Sequence, residues 1–197
     1  RQSLALVTLS ALVRQAEKHL AEQEAAELAE SGPSASLSSG LANAVLTCLA
    51  LAVTKHADAN CANCTWRPTS LDIGHLFGRQ AIGMVWDFAE VNPTSGSTRD
   101  FWNGVEGVLK ALDSMDDKFA NIGHVEQSSA TTHPLPNDSV DGFITDPPYY
   151  DAVPYAYLSD FFYVWLRRIL EQTHLGLFKD ECSPKAAEIV VDRSHQL

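Results

Sequence analysis

Apolar residues recur at helical spacing through most of the first half of the chain, with polar and charged residues between them. The first such stretch predicts an amphipathic helix over residues 3–30, which a run of Ser, Gly, Pro and Ala at 31–40 interrupts. A second helix is predicted to begin near Leu41. The apolar stripe of the first helix comprises Leu6, Leu9, Val13, Ala16 and Leu20, and that of the second Leu41, Val45, Cys48, Leu49, Ala52 and Val53.

Two further helices are predicted between residues 69 and 112. One, capped by Thr69 or Asp72, runs to about Glu90, before Asn92-Pro93 ends it. The other begins behind the capping candidates Ser97 and Thr98. The buried faces would hold Ile82, Val85, Trp86 and Ala89 in the first of these helices, and Phe101, Val105, Val108, Leu109 and Leu112 in the second.

The pattern changes after Phe119, where helical periodicity gives way to short β-type runs. Residues 122–127 are predicted to be extended, and residues 140–145 to form a strand. Asp146 must end that strand, because the two prolines that follow lack N–H donors and disfavour helix before them. An apolar helix face then runs from about Tyr155 to Leu170. Strand, loop and helix make one unit of a doubly wound sheet, in which the strand's C-terminal edge binds ligands.

Composition and charge narrow the class of protein. The 197 residues, 45% of them hydrophobic, suffice for one domain with a helical extension. No apolar run is long enough to cross a bilayer, and the Arg1 start carries no signal-peptide pattern, so we expect a cytoplasmic protein or a piece of one. Fourteen Lys and Arg against 25 Asp and Glu give a net charge of −11. Any binding of nucleic acid is therefore expected to depend largely on residues outside this chain.

The cysteines are expected to be reduced thiols, because nothing in the sequence indicates secretion. Cys61 and Cys64 have the spacing of half a zinc site. A structural site needs four ligands, however, and the nearest further candidates are the single histidines His56 and His75. We predict no metal site here.

The tetrapeptide Asp146-Pro147-Pro148-Tyr149 is suited to holding an exocyclic amine. The carboxylate can accept one N–H, the Pro147 carbonyl can accept the other, and a base can stack on the Tyr149 ring. Orientation matters for such an amine, because the delocalised lone pair of adenine or cytosine makes its nitrogen a poor nucleophile. The alternative interpretation is a tight turn at a strand end.

The same tetrapeptide resembles the catalytic motif of the amino-methyltransferases that methylate adenine N6 or cytosine N4 with S-adenosylmethionine. Residues 145–168 are similar to one branch, the DUF1156-containing adenine-specific DNA methylases, and so are residues 77–93 and Cys64-Thr65-Trp66. The resemblance implies methylation of adenine N6, with S-adenosylmethionine as cofactor and DNA as partner. The catalytic residues that it implies are Asp146, Pro147, Pro148 and Tyr149.

Two further sets of residues are candidates for this site. A flipped base is expected to meet aromatic rings in the loop and first helical turn beyond the motif, with ordinary packing as the alternative. These expected base contacts are Tyr149, Tyr150 and Tyr155. Asp87 and Glu90, one helical turn apart, and Asn92 are the predicted cofactor-binding residues; the alternative is a solvated face with Arg79 as an ion-pair partner.

The predicted fold class is α/β: a helix-rich N-terminal part leading into a partial Rossmann-like methyltransferase core. We expect an N-terminal helix and linker over 1–40, a helical segment over 41–118 and the partial core over 119–197. In the family a glycine-rich cofactor loop precedes this region, and no Asp-x-Phe-x-Gly-x-Gly-like loop occurs here. The chain is thus expected to be a fragment, inactive alone. One alternative function is methylation of RNA, since the motif does not distinguish a 2′-hydroxyl. The other is a non-catalytic binding or assembly module.

Overall fold

The computed structural model describes residues 1–31, 40–115, 123–129, 132, 134–149, 153–186, 188 and 190. In that part the chain is mainly helical, with one small two-stranded sheet. The elements are α1 (Gln2–Ser31), α2 (Leu41–Ala59), β1 (Trp66–Arg67), β2 (Asp72–Ile73), α3 (Phe101–Ser114) and α4 (Tyr155–Leu170). Four of the five predicted helices are confirmed by α1, α2, α3 and α4.

Helix α2 forms the centre of the fold, because it packs against α1, α3 and α4, and α1 also contacts α4. Its buried face consists largely of alanines, whose small side chains let neighbouring helices approach closely. The main core comprises Leu6, Leu9 and Val13 from α1, Leu46, Ala50, Ala52, Val53 and Ala57 from α2, Phe101 from α3, and Ile169 and Leu170 from α4.

The predicted stripes are only partly buried. In α2 the prediction is right for Ala52 and Val53 but wrong for Leu41, which is 58% exposed, because the buried face starts one residue later at Ala42. In α1 the first half of the stripe is buried, whereas Ala16 is exposed. Periodicity alone thus located the helices more accurately than their contact faces.

Asp100 caps the N-terminus of α3. Its Oδ1 atom accepts the Asn103 N–H at 2.8 Å, and its Oδ2 atom accepts the Gly96 N–H, also at 2.8 Å. The predicted caps Ser97 and Thr98 are wrong, since they lie two or three residues too early. One carboxylate therefore satisfies both a helix N–H and a loop N–H.

Helix α3 lies close to α2 at Gly104. A Cβ atom at this buried position would be 2.9 Å from the carbonyl oxygen of Ala52. That separation is too short for a carbon atom beside backbone, so the crossing of the two helices requires glycine here.

The predicted helix between residue 69 and Glu90 is wrong. A hairpin occupies its start, with β1 and β2 antiparallel and Arg67 Nε donating to Asp72 Oδ1 at 2.9 Å. Leu71, in the turn, has a φ of 52°, which a right-handed helix excludes. The rest of the segment is irregular, and Trp86, a predicted core residue, is 90% exposed.

Residues 140–145 do not form the predicted strand. This stretch and the segment 123–129 are irregular and exposed, and Ile144 is 99% exposed. A strand needs a neighbour to accept and donate its backbone hydrogen bonds, and the paired strands of the described residues are β1 and β2. Ile122 lies outside the described residues.

The described helices include none that combines the length and the apolar character needed to cross a membrane.

Candidate functional site

The predicted catalytic motif lies on exposed, irregular chain shortly before α4. Asp146, Pro147, Pro148 and Tyr149 are all exposed, and Tyr149 is 65% exposed. Their side chains are accessible to a large planar ligand. No paired strand within the described part of the chain fixes their direction, which corrects the expectation that Asp146 sits at a sheet edge.

Two of the three predicted base contacts, Tyr149 and Tyr155, lie in the described part of the chain. Tyr155 is the first residue of α4 and is 41% exposed, so it shares the accessibility of Tyr149. Tyr150 lies outside the described residues. Tyr163, by contrast, packs: its hydroxyl donates to the Asp180 carbonyl at 2.9 Å, and its ring lies 5.4 Å from that of Phe178.

A short C-terminal segment fixes the start of α4. Lys185 Nζ lies 2.7 Å from Asp160 Oδ2, and Ser183 N–H donates to Asp160 Oδ1 at 2.8 Å. Partial burial acts to raise the pKa of Asp160, but the hydrogen bonds from Lys185 and Ser183 outweigh it and lower that pKa. Glu188 adds a third link by accepting the Ala156 N–H at 3.0 Å. The helix that follows the motif is therefore held at its first turns.

The structure does not bring the three predicted cofactor residues together in one cleft. Glu90 and Asn92 line a cleft of about 300 Å³ beside the start of α1, and Asp87 is not among its lining residues. Glu90 lies 4.0 Å from the Arg1 guanidinium. The Asn92 side-chain oxygen is occupied by the Thr94 N–H at 3.1 Å. The expected shared helix face of Asp87 and Glu90 is wrong because no helix forms there, and the ion-pair partner of Glu90 is Arg1 rather than Arg79.

A buried polar chain joins α2 to the loop before α3. His56 is fully buried; its Nε2 atom lies 3.1 Å from the Asn60 amide nitrogen, and Asn60 Oδ1 accepts the Val91 N–H at 3.3 Å. From the sequence, His56 was named only as a further candidate ligand for a zinc site that was not predicted. The i, i+4 spacing of His56 in the last turn of α2 and Asn60 directly after the helix could have signalled their contact.

A charged cleft of about 320 Å³ lies between α2, the hairpin and α3. Arg99 contacts His75 at 3.1 Å and Asp72 at 3.8 Å, and His75 hydrogen-bonds to Asp58. The proximity of these residues was not predicted from the sequence, because they come from three separate segments. The four side chains of Arg99, Asp72, His75 and Asp58 are linked to one another, so they form a structural network on one side of the cleft.

Cys61 and Cys64 form a buried pair of free thiols. The two sulfur atoms lie 3.3 Å apart in a tight turn after α2, closed by the Cys64 N–H donating to the Cys61 carbonyl at 3.1 Å. The hydrogen bond from Cys64 lowers the pKa of Cys61 to about 7, and the same bond and burial raise the pKa of Cys64. Within the described residues, no cluster of three or more His, Cys, Asp or Glu side chains has the arrangement of a metal site.

Comparisons with known proteins gave no match, whether to a family model, to a curated protein or to a solved structure.

Proposed function

We propose that the chain contributes the amine-binding motif of an S-adenosylmethionine-dependent methyltransferase that acts on a base exocyclic amine, with adenine N6 in DNA as the substrate. The observation that carries the proposal is the tetrapeptide Asp146-Pro147-Pro148-Tyr149, exposed and followed closely by the amphipathic helix α4. Its carboxylate and its Pro147 carbonyl can accept both N–H groups of an amine, which must be oriented because its nitrogen is weakly nucleophilic.

Each residue of the motif has a defined part in this proposal. The Asp146 carboxylate and the Pro147 carbonyl each accept one N–H of the amine, which directs the nitrogen lone pair toward the methyl donor. The flipped base stacks on the Tyr149 ring, and Tyr155 is accessible from the first turn of α4. The ring of Pro148 restricts the backbone between the two recognition elements.

The methyl donor is held by other groups. Asp87 lies outside the cleft that Glu90 and Asn92 line, which disfavours these residues as the donor site, and residues 1–197 contain no glycine-rich loop of the expected type. We propose that a segment outside these residues supplies that loop, the remaining strands of a Rossmann-like core and most of the DNA contacts. Residues 140–145 would then pair as a strand. The net charge of −11 supports an external source for phosphate binding.

Methyl transfer by the longest natural polypeptide that contains this chain tests the proposal. Tritiated S-adenosylmethionine is incubated with adenine-containing DNA, and with RNA of the same sequence. We expect label in DNA, its loss in Asp146→Ala and its retention in Asp141→Ala, an equally exposed carboxylate five residues upstream. Equal activity of the two variants would remove Asp146 from the site, and label in RNA alone would change the substrate class.

Binding of S-adenosylmethionine to residues 1–197 is a second test. Because these residues contain no glycine-rich loop of the expected type, calorimetric titration should show affinity no tighter than about millimolar, equivalent to roughly −4 kcal/mol. Micromolar binding would show that the donor site lies within these residues and that our assignment of it to another segment is wrong.

A binding or assembly module is the second candidate, and a different observation favours it. Ile82, Met84, Trp86 and Phe88 alternate along an irregular segment, and all are exposed, from 43% for Phe88 to 90% for Trp86. Clustered apolar exposure of this kind is typical of protein interfaces. If Trp86→Ser dissociates an assembly of the full polypeptide on gel filtration and neither protein methylates nucleic acid, this function replaces the first.

A further inference from the structure

We propose that Cys61 and Cys64 form a redox-active dithiol, which a hydroperoxide oxidises to an intramolecular disulfide. Cys61 is the attacking thiol and Cys64 the resolving one. This inference does not depend on the proposed methyl transfer, since it rests on a different part of the molecule.

The geometry favours bond formation with little movement. The sulfur atoms are 3.3 Å apart, so closing a disulfide of about 2.05 Å shortens their separation by little more than an ångström. The turn that holds them is anchored on both sides: the Cys64 carbonyl accepts the Ala89 N–H at 2.9 Å, and the Asp58 carbonyl accepts the Leu76 N–H at 2.8 Å. Neither hydrogen bond uses a sulfur atom, so both survive oxidation.

The environment distinguishes the two thiols. Cys61 is 8% exposed, whereas Cys64 is fully buried against Leu76 and partly buried phenylalanines of α4. The Cys64 S–H has two acceptors at 3.3 Å, the Asp58 carbonyl and Cys61 sulfur. A thiolate on Cys61 attracts that proton more strongly than a neutral carbonyl does, because a charged acceptor makes the stronger hydrogen bond. Cys64 therefore stabilises the thiolate on its neighbour.

The chemical step balances with hydroperoxide as the oxidant. The Cys61 thiolate attacks a peroxide oxygen; the S–O bond forms, the O–O bond breaks, and hydroxide leaves and takes up a proton to become water. Cys64, losing its proton to the departing hydroxyl, attacks the Cys61 sulfur; the S–S bond forms, the S–O bond breaks, and a second water leaves. With hydrogen peroxide, two thiols and one oxidant give one disulfide and two waters. A small oxidant suits a thiol with so little exposed surface.

Peroxide treatment of the purified 197-residue protein, followed by alkylation and peptide mass spectrometry, tests the pair. We expect the peptide with Cys61 and Cys64 to resist alkylation, to be lighter by two hydrogens and to recover on reduction. Cys182, exposed on the segment after α4, and Cys48, half-buried on α2, are internal controls that should remain available for alkylation longer. Thiolate formation near neutral pH gives Cys61 an advantage of about tenfold over an unassisted thiol.

Two serine variants separate the roles of the thiols. In Cys64→Ser, Cys61 should accumulate as a sulfenic acid that dimedone traps, whereas Cys61→Ser should leave Cys64 unlabelled. Slower oxidation of the pair than of Cys182 in the unmodified protein would overturn the proposal even if neither variant folds. Stoichiometric zinc in the purified protein, with thiols that react only after chelation, would overturn it in favour of a metal site.

Discussion

The imidazole Nδ1 atom of His56 donates to the carbonyl oxygen of Arg99 at 3.0 Å, although the histidine side chain is fully buried. Because a carbonyl only accepts, the proton is on Nδ1, and Nε2 accepts from the Asn60 amide. Arg99 has a φ of 69°, a left-handed conformation that is uncommon for a residue with a side chain. A neutral histidine thus holds a strained loop against α2.

Stability should fall as the pH is lowered through 6.5. Burial lowers the pKa of His56 below its ordinary 6.5 and outweighs the Arg99 carbonyl and Asp100 carboxylate, which raise it. The unfolded chain then binds a proton at pH values where the folded chain does not. The contribution of His56 to stability is therefore complete above pH 6.5 and is lost as the pH falls toward the lower pKa of the folded state. Urea unfolding from pH 5 to 8 measures this loss. His56→Gln should flatten the curve, and His19→Gln, a change at an exposed histidine, should not; identical curves would contradict the prediction.

Gly104→Ala should destabilise the protein by about 1–2 kcal/mol, because the overpacking penalty exceeds the gain in helix propensity. The new methyl group would meet the rigid Ala52 carbonyl at 2.9 Å. The matched control is Gly107→Ala on the same helix, where the methyl meets only the mobile end of Lys55. That variant should be neutral or more stable by up to about 1 kcal/mol. The midpoints of urea unfolding measure both changes in stability. Equal shifts in the two variants would show that α2 and α3 can move apart to accommodate the methyl group.

Asp100→Ala should cost about 1–2 kcal/mol, since it removes the acceptor of two N–H groups at the start of α3. Ser97→Ala, at an exposed hydroxyl in the same loop, should change stability by less than about 0.5 kcal/mol. Thermal unfolding of both variants provides the comparison. If Ser97→Ala proved the more harmful change, the cap would be misassigned.

Under the proposed function, Tyr149→Ala should weaken base binding by the longer polypeptide by about 1–3 kcal/mol, whereas Tyr149→Phe should retain most of it, because stacking requires the ring. Neither variant should alter unfolding, since Tyr149 is 65% exposed. Methylation rates at subsaturating DNA measure the effect. Equal losses in the two variants would assign the role to the hydroxyl.

Helical periodicity predicted α1, α2, α3 and α4 because part of each apolar stripe faces a common core. It failed over residues 69–90, where Ile82 and Trp86 fit a helical face but are exposed and the turn at Leu71 starts a hairpin. The strand at 140–145 was predicted from β-type residues alone. Strand formation also depends on a neighbour, which a local pattern cannot supply.

The candidate chemistry was predictable only where it is contiguous in sequence. The motif at 146–149 and the spacing of Cys61 and Cys64 are visible in the chain. Which of the two thiols has the lower pKa could not be predicted from the sequence, because that difference depends on the buried contact between their sulfur atoms. Likewise, the contact of His56 with Arg99 joins residues 43 positions apart.

The central position of α2 implies an uneven pattern of amide hydrogen exchange. Its hydrogen bonds are covered by three other helices, so its amides open only when the whole fold opens. The amides of residues 140–142 and 144–146 lie on exposed chain outside the sheet of the described residues, so they should exchange much faster than those of α2. Slowed exchange at 144–146 on addition of a candidate partner would therefore report the strand pairing that the proposed function requires, with α2 as the internal reference.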